Sequence, residues 1–172
     1  MLHVESFTFN PFSQNTYLIY NDEKEAFLID PGNMPDGETK VLGEFIKSKD
    51  LKIQNILLTH AHIDHIIGLQ WAYDEFKVPV LLHFNEIEIL EQAPFTAKKY
   101  GFFFPAFTGE TQLIKEGDEI NLGSDVFQIF DVPGHSPGSV AFYNKENEFV
   151  ISGDTLFMMS IGRTDLFKGN YD

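Results

Sequence analysis

Four of the six histidines in this 172-residue chain stand where they could bind a cation. His60, His62 and His65 fall in Thr59-His60-Ala61-His62-Ile63-Asp64-His65. At background residue frequencies, an H-x-H-x-D-H string arises by chance on the order of once in 10,000 chains of this length. Imidazole nitrogen and carboxylate oxygen are the ligands zinc takes where no thiolate is offered, and the chain has no cysteine. The string follows a predicted strand, Ile53 to Leu58, and opens a predicted helix. Histidines at i and i+2 on a strand end point the same way, so His60 and His62 can reach one ion. Asp64 and His65 face a neighbouring point, where a second ion could lie.

Two more strand ends complete the set. His135 sits in Val132-Pro133-Gly134-His135-Ser136-Pro137-Gly138-Ser139, a loop stiffened by its prolines, and Asp154 follows an apolar strand in Ser152-Gly153-Asp154-Thr155. Taken singly, a loop histidine and a turn-forming aspartate are ordinary. Taken with the first string, His60, His62 and His135 supply three nitrogens to one cation, and Asp154 bridges to a second held by Asp64 and His65. Water between two such cations has its pKa lowered towards ~7, which makes a hydrolytic nucleophile without serine or cysteine. Asp64 is then also the residue that orients the metal-bound water.

The elements that must carry these residues follow from periodicity. Val4 to Phe9, Thr16 to Tyr20 and Ala26 to Ile29 are rich in β-branched and aromatic residues and predict strands. Residues 36–50 place Val41, Leu42, Phe45 and Ile46 at helical spacing. A second helix is predicted from Asp64 to Lys77, a strand from Val78 to Leu82, and one or two helices over 85–100, broken at Pro94. Strands at Thr111 to Lys115, Glu119 to Leu122, Val126 to Val132, Ser139 to Tyr143 and Phe149 to Ser152 follow. This order predicts two packed sheets with helices outside.

Twelve Lys and Arg against 26 Asp and Glu give a net charge of −14, which argues against nucleic-acid and anionic-membrane partners. Hydrophobic residues at 43% and charged residues at 22% are a globular mix, which excludes a disordered or collagen-like chain. No run approaches the ~18–20 apolar residues of a membrane span. The start, Met1-Leu2-His3-Val4-Glu5, lacks the basic and apolar regions of a signal peptide. The expectation is one domain over residues 1–172, soluble and cytoplasmic. The 18 phenylalanines, with a cluster at Phe102-Phe103-Phe104, predict an aromatic core or interface, with an apolar lid as the second reading.

The motifs His60-x-His62-x-Asp64-His65, Gly-His-Ser-Pro-Gly-Ser around His135, Ser152 to Phe157 and Leu28-Ile29-Asp30-Pro31-Gly32 together resemble the metallo-β-lactamase superfamily, in order as well as in spelling. Ser160-Ile161-Gly162-Arg163-Thr164-Asp165 is similar to the segment after the bridging aspartate in small bacterial glyoxalase II-like (hydroxyacylglutathione hydrolase-like) hydrolases. The resemblance implies an α+β fold, a four-layer αββα sandwich with metals at the edge between the sheets, and gives Asp30 a supporting role behind the ligands. Family members carry a last histidine on a further strand and helix. Here no histidine follows His135, and neither His3 nor His83 matches that position. The expected fold is therefore C-terminally short, and the expected second site holds Asp64, His65 and Asp154, one ligand fewer than in the family.

The resemblance implies hydrolysis of an acyl-thioester small molecule by metal-bound hydroxide, with one or two Zn2+ per chain, or Fe or Mn. Arg163 could pair with a substrate carboxylate, or be held in a salt bridge with Asp165. The alternatives are an iron-dependent persulfide dioxygenase-like oxidoreductase and an inactive truncated family member, whose uncovered sheet would invite a homodimer. A β-lactamase with a cysteine ligand is excluded by composition, whereas a lactonase shares the expected chemistry.

Overall fold

The computed structural model describes residues 1–35 and 37–171. Strand β1 (Leu2–Phe9) pairs antiparallel with β2 (Gln14–Asn21), and β2 with β3 (Glu25–Ile29). The sheet then continues in parallel through β4 (Lys52–Leu57), β5 (Val80–His83) and β6 (Thr111–Ile114). Parallel neighbours need crossover connections, and these are the helices: α1 (Gly37–Ser48), the short α2 (Ile63–Ile66), α3 (Leu69–Phe76) and α4 (Ile87–Lys99). The second sheet is antiparallel, in the order β10 (Phe149–Ile151), β9 (Val140–Asn144), β8 (Asp125–Asp131) and β7 (Glu119–Leu122). A small hairpin of β11 (Leu156–Phe157) and β12 (Ser160–Ile161) follows.

Side-chain alternation divides the core in two. Leu18, Leu28, Ile56 and Leu82 point to the helices, while Ile19, Phe27, Ile29 and Leu57 meet Phe127, Ile129, Val140 and Phe142 of the second sheet. The first sheet is thus buried on both faces, which is why its strands read as unbroken apolar runs. On the outer face of the second sheet Val126, Phe130 and Val150 are exposed, and among the described residues no helix lies over them. Three layers of the sandwich, α, β and β, are therefore formed by the described residues.

Several predicted boundaries move. Asp36, the predicted start of the first helix, lies outside the described residues. The helix predicted from Asp64 to Lys77 is two, parted where Gly68 N–H donates to the Pro31 carbonyl at 2.8 Å instead of continuing the ladder. Pro94 was expected to break the next helix, yet α4 runs through it. The buried stripe Ile89, Leu90, Ala93 and Ala97 compensates for the one backbone bond that proline removes. The hairpin β11–β12 was not predicted. Of the phenylalanine cluster, Phe104 is buried, Phe103 is exposed, and Phe102 packs on Phe12 and Tyr100. No helix among the described residues is long and apolar enough to cross a membrane.

Candidate metal centre

The C-terminal ends of β3 and β4 lie side by side, so the loops that follow them meet. Asp30 follows β3 with φ +49°, a left-handed conformation held by bonds on every side. Its N–H donates to the Leu57 carbonyl (2.9 Å), and its own carbonyl accepts from Thr16 Oγ1 (2.7 Å). Its buried carboxylate accepts from Thr59 N–H (2.7 Å), Thr59 Oγ1 (2.6 Å) and His65 Nδ1 (2.9 Å). The Asp30 carboxylate thus makes three contacts behind the histidines.

Each of three histidines has one ring nitrogen anchored behind the site. Thr59 Oγ1 is committed as a donor to Asp30, so it accepts from His60 Nδ1 at 3.1 Å. His65 Nδ1 donates to Asp30, and His135 Nδ1 donates to the Arg163 carbonyl at 2.8 Å. The inward nitrogens converge. The His60 ring lies 4.7 Å from that of His62, 4.1 Å from His65 and 4.8 Å from His135, and His62 Nδ1 faces His135 Nε2 at 2.8 Å. His60 Nε2 and His62 Nε2 are buried with no hydrogen-bond partner, and His65 Nε2 is buried against Asp154 Oδ1 at 3.2 Å. Orphaned buried polar atoms are costly, and inward-facing imidazole nitrogens set this close together fit a divalent cation.

Two groups of side chains bring their ligand atoms within 4.8 Å of one another: His60, His62 and His135, and His60, His65 and Asp154. Asp154 spans them. Its Oδ1 lies 3.2 Å from His65 Nε2 and its Oδ2 lies 3.6 Å from His135 Nε2, the disposition a bridging carboxylate needs. Gly153 precedes it at φ +51°, and any side chain there would strike Thr59. Asp64 stands 3.7 Å from His65 Nε2, beside the second convergent group of His60, His65 and Asp154. His3 is far along the sheet, bonded to Asp22. His83 caps the turn after β5 by accepting from Asn85 N–H at 3.2 Å.

The charges sort by environment. Burial, reinforced by neighbouring imidazoles, lowers the pKa of His62 to about 3 and that of His60 well below the usual value. Both are therefore neutral, as metal ligands must be. Burial also opposes a charge on His65, but Asp30, Asp154 and Asp64 outweigh it and raise its pKa to about 10. Burial raises the Asp64 carboxyl, with His65 opposing and Asp154 adding to the rise. For Asp154 burial is outweighed by the bond to His65, and its pKa is lowered.

Above this cluster lies a cavity of about 790 Å³, with His62, Asp64, His135 and Asp154 among its lining residues and α4 and the β11–β12 hairpin as walls. Ile89, Ala93, Phe157 and Ile161 make those walls apolar. Lys99 and Arg163 also line it, but the Arg163 guanidinium is engaged by Asp165 in a two-point pair at 2.7 and 2.8 Å. The alternative of a structural salt bridge is therefore the geometry observed for Arg163. Sequence reasoning gave no role to Thr59, which links Asp30 to His60, nor to Glu86, whose buried carboxylate bonds to both histidine loops. Thr59 stood inside the quoted string and could have been found as the residue before the first ligand. Glu86, a lone glutamate after a strand, carried no signal.

A sandwich with convergent histidines at the end of its strands defines a class, and the class is matched. Residues 9–171 match the family model of the metallo-beta-lactamase superfamily, and the chain belongs to that superfamily. Among relatives, it is 39% identical over 163 residues to the probable metallo-hydrolase YqgX of Bacillus subtilis, covering 94% of this chain and 75% of that protein. It is 34% identical over 173 residues to the hydroxyacylglutathione hydrolase GloC of Haemophilus influenzae, covering 99% and 80%. Among solved structures, the BLEG-1 B3 metallo-beta-lactamase superposes with a TM-score of 0.87 at 36% identity, covering 98% of this chain and 79% of that one. TTHA1623 in a di-iron-bound form superposes with a TM-score of 0.84 at 37% identity, covering 96% and 79%.

Proposed function

We propose that this protein is a metal-dependent hydrolase of acyl-thioester small molecules, with His60, His62 and His135 as the principal metal ligands and Asp154, His65 and Asp64 forming a second, weaker site. The observation that carries this reading is Asp154 set between two groups of inward histidine nitrogens, facing a cavity of about 790 Å³. A divalent cation bound there would supply Lewis acidity and a water acidified towards neutral pH. The residues of the chain do the rest. The neutral imidazoles of His60 and His62 offer lone pairs without proton competition above pH 3 for His62. Asp64, whose pKa is raised by burial, orients the reacting water and can hold its proton. The apolar walls from α4 and the hairpin exclude bulk water and seat the acyl or thiol-carrier portion of the substrate.

The thioester class is supported by the hydroxyacylglutathione hydrolase named among the relatives, and zinc by the ligand chemistry. The di-iron form of the TTHA1623 neighbour supports iron as a second occupant. Thiol release from a hydroxyacyl-glutathione thioester, followed spectroscopically beside oxygen uptake with a glutathione persulfide, tests the reading. Thiol release with no oxygen uptake is the expected result. Oxygen uptake without thioester cleavage would replace it with an oxygenase.

A further inference from the structure

We infer that Glu86 is a positioning residue that fixes the distance between the two histidine loops, and with it the cation affinity and geometry of the His60–His62–His135 group. The inference rests on the reading that these histidines hold a metal. Glu86 is fully buried at the end of a single turn of 3-10 helix, Phe84–Glu86, between β5 and α4. Its two oxygens are divided between the loops. Oε2 accepts from Ala61 N–H at 2.8 Å, and Ala61 is the residue between His60 and His62. Oε1 accepts from Ser136 Oγ at 2.5 Å and from Gly138 N–H at 2.7 Å, on either side of Pro137 and directly after His135.

The chemistry of the clamp requires a carboxylate. Three donors converge on Glu86, and both of its oxygens are used. A buried charge is tolerated only when it is fully hydrogen-bonded or paired, and Glu86 has no ion pair among the described residues. Its three donors therefore carry its whole stabilisation. A glutamine has one acceptor oxygen, and its amide would turn an N–H towards a donor on one of the two loops. Gly138 completes the fit, because a Cβ there would lie 3.0 Å from the Glu86 carboxylate and 2.7 Å from His83 Nδ1. Among the described residues, the loops are also joined by a strand-type bond, Val140 N–H to the Thr59 carbonyl at 2.9 Å, and by the histidine rings themselves. The Thr59–Val140 bond secures the base of the loops, whereas Glu86 acts beside the ligands.

The test compares wild type, Glu86→Gln and Ser136→Ala by zinc competition against a chromophoric chelator and by the visible spectrum of the cobalt(II)-loaded protein. Circular dichroism monitors folding. Groups that hold metal ligands in place typically change affinity 10- to 100-fold when altered. Glu86→Gln should weaken zinc binding by about that factor and alter the cobalt bands. Ser136→Ala, which removes one of the three bonds, should give a smaller loss of affinity in the same direction. A folded Glu86→Gln with wild-type affinity and an unchanged cobalt spectrum overturns the inference, whatever happens to its melting temperature. Should Glu86→Gln fail to fold, Ser136→Ala decides: unchanged affinity and spectrum overturn the inference. A wild type that binds no zinc, or whose binding survives His62→Ala, overturns the metal reading itself.

Discussion

Replacing Asp30 with asparagine keeps the shape of the side chain and removes the charge that holds His65 protonated. His65 titrates at about 10 in the folded protein against 6.5 for an ordinary histidine, so its protonation favours the folded state. The contribution is complete below pH 6.5 and is lost as the pH rises through about 10. At ~1.4 kcal/mol per pH unit the complete contribution is on the order of 5 kcal/mol, and at pH 7 about 4 kcal/mol remains. Asp30, 2.9 Å from His65 Nδ1, leads Asp154 and Asp64 among the groups that sustain it, and a hydrogen bond between charged groups is worth roughly 2 kcal/mol. Weakening the two bonds from Thr59, now to a neutral acceptor, adds about 1 kcal/mol. Urea unfolding of the metal-free protein, in chelator, should place Asp30→Asn about 3 kcal/mol below wild type at pH 7. The gap should narrow to about 1 kcal/mol above pH 10, where His65 is neutral in both proteins. A gap that is the same at both pH values would refute the assignment of the charge to this pair.

Three other outcomes follow from the same geometry. Metal-free protein should lose thermal stability as the pH falls from 6.5 towards 3. The folded state keeps His62 neutral down to about 3 while the unfolded chain takes up its proton, and His62→Ala should show a shallower acid slope. Gly162→Ala should weaken cation binding at least ~10-fold, since a Cβ there collides with the Asp154 carbonyl and comes within 3.2 Å of His135 Nδ1; chelator competition showing wild-type affinity would contradict the packing described. His83→Ala should leave metal content unchanged by elemental analysis, because its Nδ1 is occupied by Asn85 N–H and its Nε2 lies 3.6 Å from Asp131.

Much of this architecture was legible in the residues. The H-x-H-x-D-H string and the loops bearing His135 and Asp154 come together at one end of the sandwich, because each follows a strand whose apolar run marks it in the sequence. The pattern was less informative where tertiary contacts override local preference. Pro94 sits inside α4 because the buried face of that helix compensates for the missing bond, and the helix predicted from Asp64 parts at Gly68 because the Pro31 carbonyl captures its N–H. The approach of Asp154 to His65 depends on the meeting of two loops, which spacing along the chain does not encode. Glu86 was invisible for the same reason: its partners lie 25 to 52 residues away.

The central claim is that His60, His62 and His135 hold a metal more tightly than the neighbouring group does. Zinc titration of the metal-stripped protein, read by calorimetry and repeated with His62→Ala, tests it most directly. One tight equivalent per chain, followed by a weaker event or none, with the tight event abolished in His62→Ala, is the predicted result. No binding in wild type, two equally tight events, or a tight event that survives His62→Ala would contradict the account.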